Sequence, residues 1–217
     1  ELRGGVFSAP NLTIGRDGAG SFLQSGGQLL LVTPGGGGTL TIGSGAGNGS
    51  FVVGSTSGAA VLRANTLLMP DATRGRFEMS AGSDVHVDSL RIGSMPGAMT
   101  ATPSIVVAGG TLSADTGEIG VGGSAAVLQS DGEVSLSGRL VLGGNGTAAG
   151  SYTLSGGTLS APTLTVSPGS TLVQSGGIIY GTIVNHGAIN FSGGQLIGSL
   201  DHQSDGVLTL SESFRVA

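Results

Sequence analysis

The densest polar constellation in the chain is Asp84-Val85-His86-Val87-Asp88. Alternation along an extended segment places Asp84, His86 and Asp88 on one outward face and turns Val85 and Val87 the other way. Two carboxylates and an imidazole are a donor set that suits a divalent cation, so these three residues are the candidate metal ligands. Side chains two residues apart on a strand stand roughly 7 Å from each other, however, and one ion would need a further ligand from a neighbouring segment. Asp115 is the residue placed to supply it; the ordinary alternative is a solvated face. Glycan cleavage would need paired carboxylates recurring on one face, whereas Asp17, Asp71, Glu78, Asp131, Glu133, Asp201, Asp205 and Glu212 share no register. Glu118 is spaced to meet Arg91 as a surface ion pair. His186 and His202 are isolated, and Arg16-Asp17-Gly18 occurs once where a calcium-folded repeat would iterate. No catalytic residue and no cofactor are assigned.

The elements that would position these groups are repeats. A small-residue pair recurs with its second member at Gly5, Gly27, Gly58, Gly82, Gly110, Gly132, Gly157, Gly177 and Gly194, at a mean interval of about two dozen residues. An apolar side chain follows each pair: Phe7, Leu29, Val61, Val85, Leu112, Val134, Leu159, Ile179 and Leu196. Aligning the repeats yields three short strands in each. The first carries Phe22, Phe51, Phe77, Ile105, Val127, Tyr152, Leu172 and Phe191; the second follows the Gly pair; the third reads Leu-x-Ile-Gly, as at Leu12–Gly15, Leu40–Gly43 and Leu90–Gly93, with Ile119-Gly120-Val121-Gly122 as a variant. Period-two alternation turns these apolar residues inward and Thr, Ser, Arg and Gln outward. The outward third-strand positions then read Thr13, Thr41, Arg91, Gly120, Val141 and Thr165, so Arg91 and Val141 interrupt any hydroxyl array that could order water.

Such a chain is predicted to be all-β: a parallel β-helix, or β-solenoid, of about nine coils of about 24 residues with three short strands per coil, forming a single domain over residues 1–217. The hand expected of parallel crossovers is right-handed. An antiparallel sandwich gives no reason for similarity at this period. Corners after the third strand vary from Ser167–Ser170 to the long Gly93–Pro103, and variable length belongs on the surface.

Composition narrows the function classes. Glycine supplies 44 of 217 residues, charged residues 10%, and hydrophobic residues 38%, enough when periodic to bury a narrow core rather than form a linker. All the cations are Arg, the formal net charge is -5, and no phosphate-neutralising surface results, so nucleic acid is not an expected partner. No apolar run reaches the roughly 18 residues that span a bilayer, so membrane insertion is not expected. Cysteine is absent, which removes disulfides and thiolate sites. The sequons at Asn11, Asn48, Asn145 and Asn190 matter only in a host that glycosylates Asn.

Leu2–Ile14 matches Leu154–Val166, so the first residues read as the end of a first strand, and Gly206–Ala217 resembles a second and third strand. Neither stretch reads as a cap, and open parallel edges are templates for pairing. The expected assembly interface comprises Leu2, Val6, Phe7, Leu12 and Ile14 at one end and Val207, Leu208, Leu210, Phe214 and Val216 at the other. A longer solenoid of which this is a fragment is the alternative. The stretches SGGTLSAPTLTV and SGGIIYGTIVNHGAINFSGGQL resemble glycine-rich β-solenoid repeats of bacterial secreted and cell-surface proteins, including autotransporter passenger domains. The resemblance covers essentially the whole chain and implies an extracellular or cell-surface location. It implies a structural role, with self-association head to tail into a fibre as the first expectation. A surface adhesin that binds glycan or matrix is the second, and a glycan-active β-helix enzyme the third.

Overall fold

The computed structural model describes all residues except 33–36, 56–57, 71–74, 95–101, 145–147, 212–214 and 217, and gives the backbone alone for 215–216. Of the expectations above, Asp71, Glu212, the Asn145 sequon, the middle of the Gly93–Pro103 corner, Phe214 and the Val216 side chain lie outside the described residues. The described chain is all-β, and every strand pairing in it is parallel.

The pairings sort into three ladders. In the first, 20–24 pairs with 49–53, and the ladder runs on through 76–79, 104–107, 126–129, 151–154, 171–174 and 188–191 to 207–210. In the second, 6–8 pairs with 28–30 and is followed by 60–64, 83–87, 111–114, 133–136, 158–160, 178–181, 195–198 and 215–216. The third joins 11–16 to 39–44 and continues through 66–69, 89–92, 116–119, 139–142 and 163–166 to 182–185 and 199–202. Where corners are tight, one strand serves several ladders without a break: Ser104–Ile119 runs through all three. That differs from three separate short strands, because such a bend needs only a skipped alternation, not a loop.

Parity decides which side chains go inside. Along Gly49–Val53 and Thr171–Gln174 buried and part-exposed residues strictly alternate, and like residues stack on successive rungs. Phe22, Phe51 and Phe77 form such a stack, with ring centroids 5.2 and 5.4 Å apart and planes within 15°. Ile105, Val127, Tyr152, Leu172 and Ile189 continue the same column. Stacking at the rung spacing takes both faces of the Phe51 ring out of water.

The corner between first and second ladders needs glycine. Gly157 and Gly177 sit on successive rungs at φ 77° and 69°. A Cβ on Gly157 would meet the Gly132 carbonyl oxygen at 2.3 Å, and one on Gly177 the Gly157 oxygen at 2.6 Å. Both the left-handed backbone and the closeness of the next rung exclude larger residues there.

Four alignments shift in the structure. Phe191 lies opposite Gln174, and Ile189 takes the inward place beside Leu172. Leu62 rather than Val61 follows Leu29 inward, because Ala60 stands opposite Gly27. Ile119 pairs with Ile92 and Leu142, and Gly117 fills the preceding leucine place; a Cβ on Gly117 would meet Leu140 and Leu136 side chains at 2.7 and 2.9 Å, so those neighbours occupy its volume. The outward residue there is therefore Glu118, not Gly120. Finally, Ala60–Met69 supplies a third-ladder rung, 66–69, that Leu-x-Ile-Gly does not reveal.

Candidate functional site

Alternation holds for Asp84 and His86, which project outward from the second ladder. It fails at Asp88. Val87 pairs in the second ladder and Ser89 in the third, and Asp88 and Ser89 both face out between buried Val87 and Leu90, so Asp88 stands on the corner. Each candidate ligand has its own partner. Arg63 donates Nη1 to Asp84 Oδ1 at 3.1 Å and Nη2 to Oδ2 at 2.5 Å, a bidentate clamp across one rung. Asn65 Nδ2 donates to Asp88 Oδ2 at 2.7 Å, and His86 Nδ1 lies 2.9 Å from Ser113 Oγ. Asp115 accepts from Ser137 Oγ at 2.9 Å. Among the described residues no three His, Asp or Glu side chains are grouped to hold a metal; the spacing along one strand cannot be closed, and the neighbouring rung brings a cation instead of a carboxylate.

The Arg91–Glu118 pair forms, with Nε donating to Oε2 at 3.1 Å on directly opposed residues. Near it, a groove of about 250 Å³ is lined by Glu118, Arg139, Val141 and Ser167, among others. A second groove of about 250 Å³ lies where the third ladder turns into the first, between Pro168, Ala188 and Val207, and holds His186 and Asp205. His186 Nδ1 lies 3.0 and 3.2 Å from the Asp205 carboxylate oxygens. No other lining residue titrates, and Ser170 Oγ is buried, accepting the Gly150 N–H at 3.1 Å. The pair can orient an imidazole, and the hydroxyl of Thr171 lines the same groove.

Glutamine supplies what a polar-outward rule misassigns. Gln24, Gln129 and Gln174 are buried, not outward. Each Nε2 donates to the carbonyl of the corner glycine three residues on and to a second-ladder carbonyl of the following rung: Gly27 and Val61 for Gln24, Gly132 and Thr158 for Gln129, Gly177 and Gln195 for Gln174. A corner turns carbonyls inward where no strand can pair them, and a buried amide satisfies two at once. Tyr152 adds a third bond at one such corner, donating to Gln129 Oε1 at 2.5 Å, and burial pushes its hydroxyl pKa far above the usual range. Asn185 closes the opposite corner near the far end, donating to Val207 O at 3.1 Å and accepting from Gly187 N at 3.1 Å. The signal was present in the sequence: Gln recurs three residues before a corner glycine at positions 24, 129 and 174.

The outermost rungs carry the expected assembly residues. Val6 and Phe7 are exposed on the 6–8 strand, whose one partner among the described residues is 28–30, and Val207 and Leu210 are exposed on 207–210, whose one partner among them is 188–191. Leu2, Leu12 and Leu208 are half-buried against the core, and Ile14 is buried, so it belongs to the interior rather than to an open face. Comparison of the chain with family models, curated proteins and solved structures finds no match.

Proposed function

We propose that the three ladders wind as one right-handed β-solenoid of about nine coils, and that this rod is an extracellular structural element whose coils stack end to end with those of a second copy. The reading takes the successive rungs as turns of one chain about one axis, roughly 40 Å long at the usual strand spacing. The observation that carries the assembly is the pair of outer strands: Val6 is 64% exposed at one end, Val207 60% and Leu210 57% at the other. Unpaired N–H and C=O groups beside exposed apolar side chains favour a further parallel strand. Because the two ends differ, the contact is heterologous and continues as a filament instead of closing. Charged side chains tied up in pairs between neighbouring rungs, such as Arg63–Asp84 and Arg91–Glu118, support a scaffold in preference to a reaction centre.

Sedimentation and electron microscopy of the purified chain test this. Rods that lengthen with concentration are expected, and Ser8→Pro, which removes an N–H that points away from the 28–30 rung because Gly5 O and Ala9 N on either side of it pair toward that rung, should shorten them to one subunit while melting is unchanged. Rods of single-subunit length at every concentration would refute end-to-end assembly.

A further inference from the structure

The three outward faces are not alike. The second ladder shows Arg63, Asp84, His86 and Glu133 to solvent, and the third shows Arg91, Glu118, Arg139 and Asp201. The first ladder's outward face has two columns. One reads Ser21, Ser50, Arg76, Ser104, Ala126 and Ser151; the other Leu23, Val52, Glu78, Val106, Leu128 and Thr153. From there to the Val207–Thr209 rung neither column carries another charge. Leu128 is 47% exposed, and Leu23 is also exposed. Thus one column is small, the other large and mostly apolar, and one charged rung, where Arg76 and Glu78 form an ion pair, crosses both.

We propose that this face pairs two parallel rods side by side, the partner being a second copy of this chain related by a two-fold axis that runs along the ladder direction. Such an axis keeps each rung level with itself and exchanges the columns. Leu23 then faces Ser21 of the other copy, Val52 faces Ser50, Val106 faces Ser104 and Leu128 faces Ala126, so large side chains fill the space above small ones. At the charged rung Glu78 meets Arg76 of the other copy, and Arg76 meets its Glu78, doubling the attraction. A two-fold axis along the strands and centred on that rung would instead set Glu78 against Glu78. Rungs at about 4.8 Å and strands of four residues make the face roughly 40 Å by 13 Å. That is about 500 Å² per copy and about 1,000 Å² in total, the lower bound of a specific interface.

This pairing rests on the ladders and not on end-to-end stacking: rod width reports the one and rod length the other. Glu78→Arg and Arg76→Glu, each purified alone, set like charges against like across the interface. Images of the unaltered chain should show rods two subunits wide, and each variant rods one subunit wide with unchanged melting. An equimolar mixture of the two variants, which sets opposite charges together wherever unlike copies meet, should return the double width. Leu128→Glu provides a second disruption that leaves the ion pair in place and should also give single-width rods. Unaltered chain one rod wide, or variants that keep the double width, would overturn the proposal.

Discussion

The corner joining the first ladder to the second and the corner joining the third to the first solve the same geometric problem in opposite ways. At three rungs the first corner repeats one design, while between Val53 and Ala60 it is four residues longer. Gln24 to Gly27, Gln129 to Gly132 and Gln174 to Gly177 have one length, one inward amide and one left-handed glycine. The other corner begins under similar constraint, since a Cβ on Gly15 would meet the Asn48 carbonyl oxygen at 2.2 Å. Beyond that residue it is free to vary: a Cβ on Gly169 meets nothing within 4 Å, and loop length ranges from Ser167–Ser170 to Gly93–Pro103. A corner whose carbonyls point into the core must be specified atom by atom, whereas one whose backbone faces water can be satisfied by solvent.

The sharpest break in this comparison is Gly157→Ala. Left-handed strain of about 1–3 kcal/mol adds to overpacking against the Gly132 carbonyl of about 1–3 kcal/mol, so chemical denaturation should show the largest loss of stability of any corner change. Melting within a degree of the unaltered chain would mean that the first corner is not rigidly specified. Next comes Gln129→Ala, which leaves Gly132 O, Thr158 O and the Tyr152 hydroxyl without their partner. Unmet buried groups cost about 1–3 kcal/mol, and Gln129→Ala in a Tyr152→Phe background should cost less, because the hydroxyl then no longer needs an acceptor. The smallest effect belongs to the variable corner: two glycines inserted between Pro168 and Gly169 lengthen a solvent-facing loop at a cost below about 1 kcal/mol. A loss comparable to that of Gly157→Ala would erase the distinction between the two corners.

Much of this architecture is legible in the residues, and the misses have a common cause. Leu12-x-Ile14 and Leu40-x-Ile42 lie in register as the motif implies, and the Arg91–Glu118 pair follows from repeat spacing alone. The motif fails at Ile119, where Gly117 substitutes for leucine because Leu136 and Leu140 reach into its place. It fails again at Ala60–Met69, whose third-ladder stretch ends in Met69-Pro70 without the marker glycine. The metal reading of Asp84, His86 and Asp88 treated Ser83–Ile92 as straight; the bend at Asp88 and the reach of Arg63 from the neighbouring rung divide the set among separate partners. Gln24, Gln129 and Gln174 are buried although polar, and the parity of their strands, not their polarity, is what turns them in.

What the sequence by itself determined is the period, the inward-outward alternation of most strands and the parallel direction of pairing, since all three follow from the spacing of apolar residues and glycines along one dimension. What only the tertiary structure decided is the register between rungs, the capping of inward carbonyls by buried amides and the contrast between one nearly uncharged face and two charged ones. Those depend on which residue lies one rung away, and because corner lengths differ from repeat to repeat, that neighbour stands sometimes 17 and sometimes 28 positions along the chain.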